Sequence, residues 1–308
     1  MALHQASGRW RLGLLLAACT AGFWATLPVA LKIVLEQVDA ITLTWFRFLV
    51  AFVLVGAWLA ARRQLAPLRA LRRRHWALLA LAGVMLIGNY VFYLLGVHYT
   101  SPANAQLLIQ LAPLLMALGG IFVFGERFNG WQWLGLAVIA IGLGMFFAEQ
   151  LRSDALPAGR YLLGSAIVVL AAVVWAVYAL VQKQLLLRLS SWLILLAIYA
   201  LASVVLWPLA HPSTLLRLDA LHAALLGYCA LNTIGAYGCF AEALAHWEAS
   251  RVSTVLALTP LLSIAAVTLV HALWPSLIRA EHVAGLGFAG AALVVCGSAL
   301  AALMGQRR

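Results

Sequence analysis

The stretch Trp24-Ala25-Thr26-Leu27-Pro28-Val29-Ala30-Leu31-Lys32 has a counterpart later in the chain, Trp175-Ala176-Val177-Tyr178-Ala179-Leu180-Val181-Gln182-Lys183. In both stretches a tryptophan precedes a lysine by the same number of residues, inside a long apolar run. A second element also recurs, because Leu111-Ala-Pro-Leu-Leu115 is echoed by Leu258-Thr-Pro-Leu-Leu262. The two elements follow each other in the same order in both halves. This duplication predicts two copies of one helical unit.

The composition places the chain in a membrane. Of its 308 residues, 65% are hydrophobic and only 9% are charged, and the mean hydropathy is +1.01. A soluble domain carries about 25% charged residues, so water does not suit this surface. The apolar runs are long and do not alternate with polar residues, which favours spanning helices over the strands of a membrane barrel. We therefore predict an all-α membrane protein.

Ten apolar segments are long enough to span a bilayer. Their loops are short, and a cluster of arginines falls between segments 2 and 3. Positive charge favours the cytoplasmic side, so this loop and both termini are predicted to be cytoplasmic, in a multi-pass protein of the bacterial inner membrane. The net charge of +11 is then a topology signal rather than a nucleic-acid surface. The segments are 12–35, 41–61, 75–97, 101–124, 131–148, 160–183, 191–210, 219–245, 249–272 and 281–304, and the arginines are Arg62, Arg63, Arg69, Arg72, Arg73 and Arg74.

An odd number of segments in each half has a geometric consequence. The second half enters the membrane from the opposite side, so the units predicted at 12–148 and 160–304 are inverted repeats. Two inverted halves can exchange conformations, and the exchange converts a cavity open to one side into a cavity open to the other. Lys32 and Lys183 then fall near opposite faces of the membrane, where we interpret them as helix-end anchors.

The chain resembles the drug/metabolite transporter superfamily, and in particular its EamA-type branch, over about residues 10–304. That branch carries two repeats of five helices. The second half departs from the pattern, because His271-Ala-Leu-Trp274 stands where a Gly-Glu pair is expected. The resemblance implies export of amino acids, other metabolites or drugs, and it includes bacterial aromatic-amino-acid exporters. It is carried by the ten segments, by the Leu-x-Pro-Leu-Leu element in segments 4 and 9, by Arg47 in segment 2, and by Gly125-Glu126 followed by Gly135 and Gly142.

Polar and aromatic side chains in the middle of the segments predict a substrate path. Polar groups at membrane depth are costly and usually face the bundle interior. We expect a central cavity walled by segments 1, 3, 4, 6, 8 and 9, with rings for apolar or cationic groups and amides for an ammonium or a carboxylate. The alternative is that these groups join helices through hydrogen bonds of about 0.6 kcal/mol each. The candidate substrate-binding residues are Trp24, Asn89, Tyr90, Tyr93, Gln106, Gln110, Trp175, Tyr178, Asn232 and Tyr237.

Three prolines lie inside the candidate path: Pro28, Pro113 and Pro260. A proline within a helix removes one backbone hydrogen bond. Pro113 is expected to leave the carbonyl of Ile109 without its partner, which membrane depth tolerates only beside protein or a wet cavity. We therefore expect freed carbonyls to face the substrate.

Ionisable groups inside the segments are few. We predict that Arg47 pairs with Glu36 or Asp39, which would be a structural role. Glu242 is the candidate carboxylate for coupling transport to protons, with a salt bridge to Arg251 as the alternative. The sequence has no pair of buried acids, so facilitated diffusion and exchange stay open.

Enzymatic function is not expected, because no zinc motif, nucleophile with a base, phosphate loop or dinucleotide fingerprint is present. No metal and no cofactor are expected either. The favoured interpretation is a secondary transporter that exports small metabolites, amino acids foremost, by alternating access. Multidrug or other metabolite efflux is the alternative, and a non-transporting receptor or assembly factor is the least favoured. The expected partners are a small-molecule substrate and membrane lipid but no nucleic acid, with the chain as a monomer or a homodimer.

Overall fold

The computed structural model describes residues 9–69, 71–112, 115, 118–119, 129–152, 157–246, 252, 255–256, 258–278 and 285–304. All regular secondary structure in these ranges is helical, and no strand occurs among them. Two short 3₁₀ helices, Trp207–Leu209 and Pro212–Arg217, lie between the α-helix that ends at Leu206 and the one that begins at Ala220. The α-helices are α1 (Trp10–Val34), α2 (Ala40–Ala61), α3 (Ala66–Arg69), α4 (Arg73–Tyr99), α5 (Pro102–Leu108), α6 (Gly130–Arg152), α7 (Ala158–Leu185), α8 (Ser191–Leu206), α9 (Ala220–His246), α10 (Thr259–Leu273) and α11 (Gly285–Met304).

Seven of the helices in the described ranges are long and apolar enough to cross a membrane, namely α1, α2, α4, α6, α7, α8 and α9. Two more apolar helices are shorter, Thr259–Leu273 and Gly285–Leu300. Large apolar side chains such as Val204 and Leu231 are exposed, which suits a surface that faces lipid rather than water. The prediction of an all-α membrane protein is confirmed at this level.

Polar side chains fix where several helices begin. Asp39 accepts hydrogen bonds from the backbone N–H groups of Ile41 and Thr42, at 3.0 and 2.9 Å, and so starts α2. Ser190 starts α8 in the corresponding way, by accepting from the Leu193 N–H at 3.4 Å. Such caps satisfy backbone donors that a helix leaves unpaired at its first turn. In both halves, therefore, a polar cap opens the helix that follows the tryptophan-containing one.

The helices of the first half pack on those of the second half. The helix pairs in contact across the halves include α1 with α9, α4 with α7, α2 with α8, α5 with α10, and α6 with α11. The backbones of α6 and α11 approach each other closely, because a Cβ atom on Gly142 would lie 2.5 Å from the carbonyl oxygen of Gly290. A Cβ atom on Gly297 would lie 2.7 Å from the carbonyl oxygen of Gly135. Small residues therefore let these two backbones touch.

Candidate substrate site

A row of aromatic side chains runs between helices from both halves. The ring of Trp24 on α1 lies 6.0 Å, between centroids, from the ring of Tyr237 on α9. The side chain of Tyr237 in turn interacts with that of Tyr90 on α4. Tyr178 on α7 belongs to the same buried core as Tyr90, and its ring is 6.4 Å from that of Trp175. We call these five residues the aromatic row, and the structure brings all of them together from four separate segments.

The members of the aromatic row differ in their exposure. Tyr90 and Tyr178 are buried in the apolar core, where the ring of Phe48 lies 4.5 Å from that of Tyr90. Trp24, Trp175 and Tyr237 are only partly buried. The two buried tyrosines therefore pack in the core, while the three partly buried rings keep apolar surface exposed.

Three of the polar residues predicted on segments 3 and 4 bond to protein groups, namely Asn89, Tyr93 and Gln106. The Tyr93 hydroxyl donates to Oε1 of Gln106 at 2.8 Å, which joins α4 to α5. The Asn89 amide donates to the carbonyl of Ala171 at 2.9 Å, which joins α4 to α7. Gln110 lies partly buried in the turn that follows α5. The hydrogen bond of Asn89 therefore fits the alternative that polar groups join helices. Gln110 lies in a turn, where the helix is interrupted.

Asn104 is a polar residue of this region that the sequence argument missed. Its amide donates to Oγ of Ser165 at 3.1 Å, and its Oδ1 accepts from the Tyr161 hydroxyl at 2.6 Å. All three side chains are buried, and they join α5 to α7. The signal was present, because Asn104 precedes Gln106 in a segment that is otherwise apolar.

Asn232 on α9 is almost fully buried, with 1% of its surface exposed. Its amide donates to the carbonyl of Phe23 at 2.8 Å and to the Tyr228 hydroxyl at 3.1 Å. Because the Phe23 carbonyl can only accept, the amide NH₂ must face it, and this fixes where Oδ1 lies. Oδ1 is buried and has no hydrogen-bond partner among the described residues.

Segments 4 and 9 are both interrupted, although the sequence predicts continuous helices over 101–124 and 249–272. α5 ends at Leu108, and residues 109 and 110 form a turn. In segment 9, Leu258 lies in a turn and α10 begins at Thr259. Pro260 lies in the first turn of α10, where a missing N–H removes no bond. Short, proline-interrupted helices at corresponding positions of two halves mark the binding site in many transporters.

The carbonyls expected to be free at these interruptions are bonded, so that expectation is wrong. The carbonyl of Ile109 accepts from the Ala112 N–H at 2.9 Å, because the backbone tightens into a turn. The carbonyl of Leu256 accepts from the Thr259 hydroxyl at 2.5 Å. Pro113 lies outside the described residues, and Pro28 is buried within α1.

Arg47 does not make the predicted pair with Glu36 or Asp39. Asp39 instead bonds to its own helix, also accepting from the Thr42 hydroxyl at 2.6 Å. Arg47 lies two turns further along α2, about 12 Å of helix rise beyond Asp39. Its side chain is 2% exposed and its guanidinium lies over the ring of Tyr90, 4.8 Å from the centroid.

Other charged candidates lie at helix ends. Lys32 donates to the carbonyls of Val97, His98 and Thr100 at 2.7, 2.8 and 3.1 Å, so it holds the C-terminal end of α4. The side chain of Glu242 is 65% exposed, and its Oε2 lies 3.7 Å from Nε2 of His246. The Lys183 side chain and Arg251 fall outside the described part of the structure. Across that described part, no group of three His, Cys, Asp or Glu side chains is arranged to hold a metal ion.

Comparison with known proteins identifies the family. The model of the EamA-like transporter family matches residues 11–148 and again residues 162–300. The uncharacterized inner membrane transporter YhbE of Escherichia coli (strain K12) is 38% identical over 293 residues, covering 95% of this chain and 91% of that protein. An uncharacterized transporter of Haemophilus influenzae is 35% identical over 293 residues, covering 95% of each.

More distant similarities agree with this assignment. The "probable amino-acid metabolite efflux pump" of Escherichia coli (strain K12) is 26% identical over 296 residues and 92% of each chain. A protein of known crystal structure shares the fold with a TM-score of 0.62, at 22% identity, over 98% of this chain and 99% of that one. The chain therefore belongs to the EamA-like transporter family of the drug/metabolite transporter superfamily, and it is a membrane transporter rather than an enzyme.

Proposed function

We propose that this transporter exports small metabolites, amino acids foremost, across the bacterial inner membrane by alternating access. The observation that carries the proposal is the position of the two interrupted segments. α5 and α10 contact each other, and each carries its break at the same element of its own half. A similar protein is named for amino-acid metabolite efflux, at 26% identity, which supports the choice of substrate class.

The proposed mechanism requires two inverted five-helix repeats, 12–148 and 160–304, with ten spans in all. The helix contacts support it. An axis that exchanges the halves maps segment 1 onto 6 and segment 8 onto 3, so it converts the contact between α1 and α9 into that between α7 and α4. Three further pairs, α2 with α8, α5 with α10 and α6 with α11, join equivalent segments, and the contact of α2 with α9 exchanges with that of α4 with α8. This contact pattern is expected of two halves related by a two-fold axis, and an odd number of segments in each half would place that axis in the membrane plane.

The proposed orientation places both termini in the cytoplasm, because the arginine-rich loop after α2 then faces the side that positive charge favours. Membrane lipid surrounds the chain, which acts as a monomer or a homodimer and binds no nucleic acid. The proposed substrate is a small molecule that enters from the cytoplasm.

The aromatic row is the proposed binding surface for the side chain of the substrate. Aromatic contacts contribute about 0.5–1.5 kcal/mol each beyond the burial of apolar area. Trp24 and Trp175, at equivalent positions of the two halves, provide the two ends of the row. The polar members of the proposed site are Asn89, Tyr93, Gln106, Gln110 and Asn232, beside the turns at 109–110 and 258. The three prolines of the proposed site are Pro28, Pro113 and Pro260.

Proton coupling, where it operates, is assigned to Glu242. Its carboxylate has a second ionisable side chain beside it, that of His246, with 3.7 Å between Oε2 and Nε2. Facilitated diffusion and exchange remain the alternatives to coupling. A protonophore separates them, because it stops only transport that is driven by a proton gradient.

The test is efflux from proteoliposomes that contain the purified full-length chain. The vesicles are loaded with each member of an amino-acid panel, and with the lipophilic cation tetraphenylphosphonium to represent drug efflux, since aromatic rings also attract cations. We expect efflux of one or more amino acids above that of empty vesicles. Efflux of the cation alone would replace the amino-acid proposal with drug transport.

A further inference from the structure

We infer that Arg47 binds the carboxylate of the transported substrate, which rests on the proposed transport function and narrows its substrate class. An arginine keeps its charge in proteins. A charge buried without a counter-ion is expensive, and at membrane depth such a residue usually serves a substrate or an ion. Arg47 is 2% exposed, and none of the ion pairs among the described residues involves it.

The hydrogen bonds of Arg47 use Nε and leave its two terminal Nη groups for a ligand. Nε donates to the carbonyl of Cys229 at 3.2 Å and to Oγ1 of Thr233 at 3.1 Å. Within the described residues, the two terminal Nη groups donate no hydrogen bond. The Tyr90 ring and the two Nε contacts therefore fix the plane of the guanidinium. A fixed guanidinium whose two Nη groups donate to none of the described residues matches the two oxygens of a carboxylate, which bind it as a parallel pair.

A second observation comes from the neighbouring residue on α9. Asn232 precedes Thr233, and its buried Oδ1 has no partner among the described residues. A buried acceptor without a donor costs about 1–3 kcal/mol, so a ligand that donates a hydrogen bond to it binds more tightly. An ammonium group is such a donor. Two consecutive residues of α9 therefore lie at the proposed site. Thr233 accepts from the Arg47 guanidinium, and Asn232 carries an amide oxygen that has no partner among the described residues.

The placement of Asn232 adds the third part of the ligand. Its amide holds the carbonyl of Phe23, the residue before Trp24, whose ring lies against Tyr237 and Phe240 at 6.0 and 5.9 Å. We therefore assign the carboxylate of the ligand to the guanidinium, its ammonium to the amide oxygen, and its apolar side chain to the aromatic rings. That combination favours an amino-acid zwitterion with an apolar side chain over a compound that carries only a cation.

The test compares three probes of similar size on the full-length protein in detergent. L-phenylalanine carries both charges, 3-phenylpropionate carries only the carboxylate, and phenethylamine carries only the ammonium. Binding is measured by the rise in melting temperature as each probe is titrated. We expect the wild type to bind the two carboxylates. We expect Arg47→Gln to lower the affinity for both carboxylates by about 10- to 100-fold, because charge-assisted hydrogen bonds are lost. The affinity for phenethylamine should not change.

Arg160→Gln is the matched control. Arg160 also lies over a tyrosine ring, 5.8 Å from the centroid of Tyr99, but it is exposed. We expect this variant to bind all three probes as the wild type does. If Arg47→Gln does not fold, Arg47→Lys keeps the charge without the fork, and we expect it to lose affinity for 3-phenylpropionate by about 10-fold or more.

Two results overturn the inference. One is an Arg47→Gln protein that binds 3-phenylpropionate as tightly as the wild type. The other is a wild type that binds phenethylamine as tightly as it binds 3-phenylpropionate. If 3-phenylpropionate binds through Arg47 but L-phenylalanine neither binds nor moves, the amino-acid proposal fails and the carboxylate site stands. If L-phenylalanine is transported equally by wild type and Arg47→Gln, transport stands and the carboxylate site fails.

Discussion

Tyr237 connects two parts of the site that the sequence keeps far apart. Its ring contacts Trp24 on α1 and its side chain interacts with Tyr90 on α4. Each of the three residues was predicted from its own segment, because an aromatic or polar side chain in mid-segment favours the bundle interior. Their mutual contacts were not predictable, since one sequence does not say which segments pack together.

Arg47 shows where reasoning from nearby residues misleads. Glu36 and Asp39 are its closest acids along the chain, so they are the natural partners in the sequence. In the structure its partners are a backbone carbonyl and a threonine hydroxyl on α9, more than a hundred residues away. A backbone carbonyl leaves no trace in the residue type, and Thr233 is an ordinary residue in an apolar helix.

The two tryptophans of the aromatic row give a prediction at the residue scale. Trp24→Ala removes ring contacts to both Tyr237 and Phe240. It also removes a ring that the proposed substrate would contact. We expect the KM for efflux to rise about 10-fold, because each aromatic contact is worth about 0.5–1.5 kcal/mol. Trp175→Ala is expected to act in the same direction. Trp131→Ala, at an exposed ring on α6, serves as the control and should leave KM unchanged. A normal KM in both Trp24→Ala and Trp175→Ala would remove the aromatic row from the site.

At the scale of elements, hydropathy predicts the long helices well and their interruptions poorly. The segments predicted at 12–35 and 41–61 correspond to α1 (Trp10–Val34) and α2 (Ala40–Ala61). An apolar run of this length has no other way to satisfy its backbone in lipid. The turn at 109–110 is invisible to hydropathy, because the residues around it are as apolar as the helix. Only the recurring proline signalled that segments 4 and 9 are special.

The contact between α6 and α11 gives a prediction at the element scale. A Cβ atom at Gly142 would lie 2.5 Å from the Gly290 carbonyl and 2.9 Å from Cβ of Leu293. We expect Gly142→Ala to lower the free energy of unfolding by about 1–3 kcal/mol, because the two backbones must separate. Thermal unfolding in detergent measures the change.

Gly144→Ala is the control for that substitution, because nothing lies within 4 Å of a Cβ atom built at Gly144. Both changes add one methyl group to the same helix two residues apart. We expect the Gly144 variant to unfold at the wild-type temperature or slightly above it, since alanine favours helix over glycine. Equal melting of the two variants would contradict the close packing of α6 on α11.

At the scale of the whole molecule, the helices of each half find their partners in the other half. The contact of α1 with α9 and that of α4 with α7 exchange under a rotation that swaps the halves. The sequence predicted the duplication from Trp24 and Trp175, the odd number of segments in each half predicted the inversion, and the charge of one loop predicted the orientation. It did not predict the pairing, which depends on side-chain shape across the whole bundle.

The most direct measurement of the central claim is amino-acid counterflow in proteoliposomes. Vesicles carrying the transporter are loaded with an unlabelled amino acid and diluted into a trace of the labelled form. A carrier that alternates between two faces accumulates label above equilibrium for a time, because outgoing substrate resets the site for incoming label. We predict this transient overshoot, and we predict that it is absent from vesicles without protein. Label that only rises smoothly to equilibrium, or that does not enter, would contradict alternating-access transport of amino acids.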